Sequence, residues 1–88
     1  MNTVQLMRQK LAFLNPEKIE IFDQSSKHLN HPGAKSGGHY SLIIVSSEFD
    51  GKSTMARHRI VYDALGRMMY EDIHALSIKA YTSKEIIT

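Results

Sequence analysis

Five histidines are the side chains of this sequence best suited to chemistry: His28, His31, His39, His58 and His74. Neutral imidazole binds iron, zinc and copper, and its proton comes and goes near neutral pH. The chain has no cysteine. That excludes disulfides, thiolate nucleophiles, and any iron–sulfur or zinc site built from this chain's own sulfur. His28 and His31 stand in an H-x-x-H spacing within a segment that also holds Pro32, Gly33, Gly37 and Gly38. Without a helix or a third ligand this is a weak motif, equally compatible with two solvated loop histidines and with a metal-binding loop. His74 opens a segment whose alternate positions continue as Leu76 and Ile78. A lone histidine on an apolar face is more often a hydrogen-bonded core residue than a ligand, but at a strand edge it exposes one ring nitrogen. His58 falls on a helical stripe, where the structural reading is favoured. His39 sits at the base of the glycine-rich loop.

Other chemistry has little support. No serine, histidine and acid come with a nucleophile elbow or an oxyanion motif. Gly37-Gly38 leads into a strand pattern, not into a helix N-terminus, so it is no phosphate loop. The expectation is a binding protein, not an enzyme, with no small-molecule substrate. Lys52, Arg57, Arg59 and Arg67 cluster around one helical segment. They read either as a solvated helix face or as a set of phosphate contacts for DNA.

The chain bearing these groups is short. Its 88 residues, 42% hydrophobic and 23% charged, allow one core, and residues 1–88 are read as a single domain. A deep pocket would compete with that core, so a surface site is expected. The net charge of +2 is mild for a nucleic-acid binder. The best apolar run, Leu42 to Val45, is far too short to span a bilayer, and no signal-peptide pattern opens the chain. The expected location is the cytoplasm.

Periodicity then places the elements. Val4, Met7, Leu11 and Leu14 follow helical spacing, with Asn2 as N-cap, Gln5 as its capping-box partner, and Asn15-Pro16 as the stop. Lys18 to Asp23 alternates as a strand, with Ile19 and Ile21 on one side. His39 to Ser46 predicts a second strand, and its Leu42-Ile43-Ile44-Val45 run is apolar on both faces, as a central strand would be. The long connection from Gln24 to Gly38 marks a functional or mobile loop. Glu48 to Lys52 reads as a turn, and Ser53 caps a helix running to about Met69. That helix buries His58, Val61, Leu65 and Met68 and carries an Arg59–Asp63–Arg67 ion ladder outside. Gly66 in its last turns costs about 1 kcal/mol relative to alanine. Ile73 to Ala80 predicts the third strand, with His74, Leu76, Ile78 and Ala80 on one face and Ile73, Ala75, Ser77 and Lys79 on the other. Thr82 and Glu85 form a second capping box and start a short terminal helix. The expected fold is α/β (α+β): order α-β-β-α-β-α, a three-stranded mixed sheet, helices on one face.

Three stretches read together carry a family resemblance. They are Phe22-Asp23-Gln24-Ser25-Ser26-Lys27-His28; Phe49-Asp50-Gly51-Lys52 through Arg57-His58-Arg59-Ile60-Val61-Tyr62; and Ile73-His74-Ala75-Leu76-Ser77-Ile78. In this order and at these distances the chain resembles the BolA family over nearly its whole length. Gly38-His39-Tyr40 and Thr82 to Glu85 fit as well. The resemblance implies a fold like a type II KH domain. It also implies pairing with a monothiol glutaredoxin to hold a [2Fe–2S] cluster, in iron–sulfur trafficking or iron sensing. The glutaredoxin cysteine and glutathione would supply the thiolates, and this chain's histidines the remaining ligands: His74, with His28 or alternatively His31 from the loop. No cofactor is then expected on the isolated chain, which is of the histidine type. Imidazoles in place of thiolates raise a cluster's potential and make its binding depend on pH. The family also implies DNA-binding regulators of cell shape and stress responses, for which Lys52, Arg57, Arg59 and Arg67 would meet phosphates. This sequence carries two loop histidines, has Ile86 where the family often has tryptophan, and lacks the G-x-x-G clamp of RNA-binding KH domains.

Overall fold

The computed structural model describes residues 1–25 and 38–86. His28 and His31 therefore lie outside the described residues. Helix α1 (Thr3–Leu11) starts where the sequence predicts. The Asn2 side chain accepts from the Gln5 N–H at 2.9 Å, and Gln5 Oε1 accepts from the Asn2 N–H at 3.0 Å. A 3-10 turn (Ala12–Leu14) follows and ends at Asn15, which is left-handed at φ 46° before Pro16. Ser46, fully buried, donates its hydroxyl to the Leu14 carbonyl at 2.6 Å and so satisfies that helix end from across the core.

Strands β1 (Lys18–Asp23), β2 (Gly38–Val45) and β3 (Ile73–Tyr81) form one sheet in the order β1-β2-β3. β1 runs antiparallel to β2, and β3 parallel to it. The parallel pair needs a crossover, which the chain makes through a 3-10 turn (Ser47–Phe49), α2 (Thr54–Leu65) and α3 (Met68–Glu71). A last helix, α4 (Ser83–Ile86), follows β3. The mixed three-stranded sheet and its central β2 are as expected.

Met7, Leu11 and Leu14 pack with Val61, Leu65 and Met68 over Tyr40, Leu42 and Ile44 of β2. The alternate β2 residues thus face α1, α2 and α3, which lie on one face of the sheet. Phe49, read as a turn residue, is fully buried in the same cluster.

Two local readings are corrected. The helix after Ser53 does not continue to Met69; it stops at Leu65, because Gly66 takes φ 54° and ψ −125°, a backbone region closed to residues with a Cβ. The stripe on α2 also differs: Val61 and Leu65 are buried, but His58 is only half-buried, and Arg57 is buried in its place.

The phase of β3 is corrected as well. Gly38 pairs with Ile73 but His39 pairs with Ala75, so His74 is an extra residue bulged out of the ladder. A bulge reverses the facing of everything on one side of it. Ile73 therefore joins the core beside Leu76, Ile78 and Ala80, while His74 is exposed, off the face assigned to it from sequence.

Candidate functional site

The bulge brings two imidazoles together. The ring centres of His39 and His74 lie 5.1 Å apart, tilted by 49°. Parallel pairing aligns the N-terminal ends of β2 and β3. His39 alternates with buried Tyr40 and so points away from the helices.

The backbone around His39 is tightly held. Its N–H donates to Ser25 Oγ at 3.1 Å, and its carbonyl accepts from the Gln24 N–H at 2.7 Å. The Ser25 N–H donates to Asp23 Oδ1 at 2.9 Å, and hydrogen bonds from Ser25 hold the Asp23 carboxyl below its ordinary value. Ser41 Oγ donates to Gln24 Oε1 at 3.1 Å. The Gly38 N–H donates to the Asp72 carbonyl at 3.0 Å, tying the start of β2 to that of β3. Gly38 is required by space: a Cβ there would lie 2.6 Å from Ser25 Oγ and 2.7 Å from the Tyr40 ring. Ser25 and Gly38 are thus both anchored beside the histidine pair.

The sequence sets His39 at the start of β2 without marking it as a ligand. Its proximity to His74 depends on a parallel register and a bulge that no local pattern announces. Among the described residues no group of three or more histidine, cysteine, aspartate or glutamate side chains could hold a metal ion alone. Any metal group held at the pair would need donors from elsewhere.

The four basic candidates separate. Lys52 and Arg59 are exposed on the surface around α2. Arg67 is exposed and pairs with Glu71 at 3.3 Å, not with Asp63 as the ladder predicted. Arg57 is turned into the chain. It is 8% exposed, and its N–H groups donate to the carbonyls of Lys52 (2.9 Å) and Ala80 (3.0 Å) and to both Glu85 oxygens (2.6 and 2.8 Å). Four of its five donors are engaged within the chain. The bidentate bond to Arg57, with a further one from the Thr82 N–H at 2.9 Å, draws Glu85 down to about 2. Of the expected Thr82–Glu85 capping box that one bond is seen, and the same carboxylate also fastens α4 to α2.

A three-stranded mixed sheet with its helices on one face, and a histidine pair at the N-terminal ends of its parallel strands, define a small α+β domain. The profile of the BolA-like protein family matches residues 11–85, and the chain belongs to that family. The chain is 41% identical over 69 residues to BolA-like protein 1 of Bos taurus, covering 78% of this chain and 50% of that protein. It is 34% identical over 74 residues to the DNA-binding transcriptional regulator BolA of Escherichia coli (strain K12), covering 84% of this chain and 69% of that protein. Among solved structures, the BolA domain of SufE1 from Arabidopsis thaliana superposes with a TM-score of 0.84 at 38% identity, over 98% of this chain and 99% of that one. The chain spans half of the bovine relative's length and 24% of the plant SufE-like protein 1.

Proposed function

We propose that the chain is a non-catalytic binding protein that shares a [2Fe–2S] cluster with a monothiol glutaredoxin and glutathione, in iron–sulfur trafficking or iron and redox regulation. The cluster is cargo passed between partners, and the cytoplasm is the proposed compartment. The observation that carries this reading is the His39–His74 pair at 5.1 Å. Two imidazoles bound to one tetrahedral metal through nitrogens about 2.1 Å from the ion bring their ring centres to about 5 Å, so the spacing fits a shared metal. His74 serves as a ligand fixed by the bulge, and His39 lies in place to join it or to orient it. His28, with His31 as the alternative, is the loop ligand proposed from the resemblance.

The absence of cysteine fits a partner that brings the thiolates. Only deprotonated imidazole binds metal, so loading should rise with pH through the histidine range. The test is visible circular dichroism of the chain mixed with a monothiol glutaredoxin, glutathione, ferrous iron and sulfide. A spectrum distinct from the glutaredoxin's own cluster is expected, and His74→Ala should abolish it. Parallel His39→Ala, His28→Ala and His31→Ala variants assign the second ligand. An unchanged mixture spectrum after His74→Ala would overturn the proposal.

A second reading is DNA binding, favoured by exposed Lys52 and Arg59 and by the similarity to the Escherichia coli regulator. With Arg57 engaged internally and Arg67 paired, few phosphate contacts remain. The salt dependence should then be shallow, about 0.9 log units in affinity per log unit of salt for each contact.

A further inference from the structure

Arg59 and Asp63 stand one helical turn apart on the exposed side of α2, a spacing that allows an ion pair. Yet neither belongs to any of the three ion pairs found among the described residues. Around them the surface is apolar and aromatic. Met55 is 72% exposed and Tyr70 90% exposed, with Tyr62 between them. Two shallow grooves meet at Tyr62. One, of about 680 Å³, is lined by Met55, His58 and Arg59; the other, of about 380 Å³, by Asp63, Met69 and Tyr70. The first groove therefore carries a positive charge and the second a negative one, on either side of a shared tyrosine. Tyrosine, methionine and arginine are the residues enriched at protein interfaces.

We propose that this face pairs with a second copy of the chain in a two-fold, antiparallel α2–α2 contact, with Arg59 of each copy meeting Asp63 of the other. Two-fold contacts require a patch complementary to itself. A patch with opposite charges on either side of its centre meets that requirement, since a half-turn lays the positive groove over the negative one. A foreign partner of a single charge sign would satisfy one groove and repel the other. Antiparallel helices also oppose their macrodipoles favourably. The twelve residues of α2 span about 18 Å, so the contact is small and the dimer weak. The inference is independent of the histidine site.

Sedimentation velocity of the intact chain, with chelator present and concentrations up to about 1 mM, tests it. A reversible monomer–dimer equilibrium is expected. Arg59→Asp and Asp63→Arg should each weaken it about tenfold, because like charges then face each other, and the double reversal should restore it to within about threefold. Tyr62→Ala should also weaken it, and far-ultraviolet circular dichroism checks that every variant is folded. A monomer throughout the range, or a dimer indifferent to the single reversals, overturns the proposal. So does a double reversal no better than the singles, which would place the charges' effect within one chain. A monomer that binds duplex DNA through Arg59 assigns the face to nucleic acid instead.

Discussion

Arg57 and Glu85, 28 residues apart in sequence, are joined by two parallel hydrogen bonds of 2.6 and 2.8 Å. The same guanidinium caps the carbonyl of Ala80 near the end of β3, an edge strand of the sheet. One buried side chain thus ties together α2, β3 and α4, which share no local sequence signal. A cation this buried is tolerated because its donors are nearly all satisfied.

Arg57→Ala should lower stability by about 2 kcal/mol, since several hydrogen bonds are lost while half-exposed Glu85 regains water. For a domain of this size that is a Tm lower by roughly 8–16 °C. Arg57→Lys should recover little, because an ammonium cannot reproduce the planar fork. Thermal melts of the two variants against the parent check this; an unchanged Tm would show the clamp to be dispensable.

The Glu85 carboxyl titrates at about 2 in the folded chain, against an ordinary value of 4.5. A depressed folded value stabilises the native state fully above the ordinary value, and that contribution is lost as pH falls from about 4.5 towards 2. Asp23, also lowered, acts in the same direction. Urea unfolding at pH 7, 4.5 and 2.5 should show the loss below pH 4.5. In Glu85→Gln the loss should shrink; the same acid sensitivity in that variant would remove Glu85 as its source.

Gly66→Ala separates two physical arguments. Helix propensity alone says that alanine stabilises by about 1 kcal/mol. At φ 54° and ψ −125° alanine is strained, and the expected result is destabilisation by about 1–3 kcal/mol. The sign of the change in a chemical melt decides between them.

Gly38→Ala tests the packing at the histidine pair. The new methyl would meet Ser25 Oγ and the Tyr40 ring at 2.6–2.7 Å, and one of them must move. A loss of about 1–3 kcal/mol is expected. The His39 and His74 imidazole resonances should shift with it in NMR spectra. Unmoved resonances would show that the loop base does not position the pair.

Much of the fold was legible because its signals are local. The Asn2–Gln5 cap, the alternation of β1, the apolar run of β2 and the Ser53 cap each depend on neighbours within a turn or a pleat. The break at Gly66 carried the weak signal of a glycine, which tolerates a helix interior and a helix end alike. The fate of Arg57 carried none: the same residue type on the same helix reads as surface until Glu85 and Ala80 are brought to it.

By itself, then, the sequence determined the order of elements, the absence of thiolate chemistry, and His74 as a residue of interest. Tertiary structure alone decided which groups meet. The parallel pairing of β2 with β3 and one bulged residue placed His74 beside His39 and turned it out of the core. Register and bulges arise from competition between strands distant in the chain, so no window of residues encodes them.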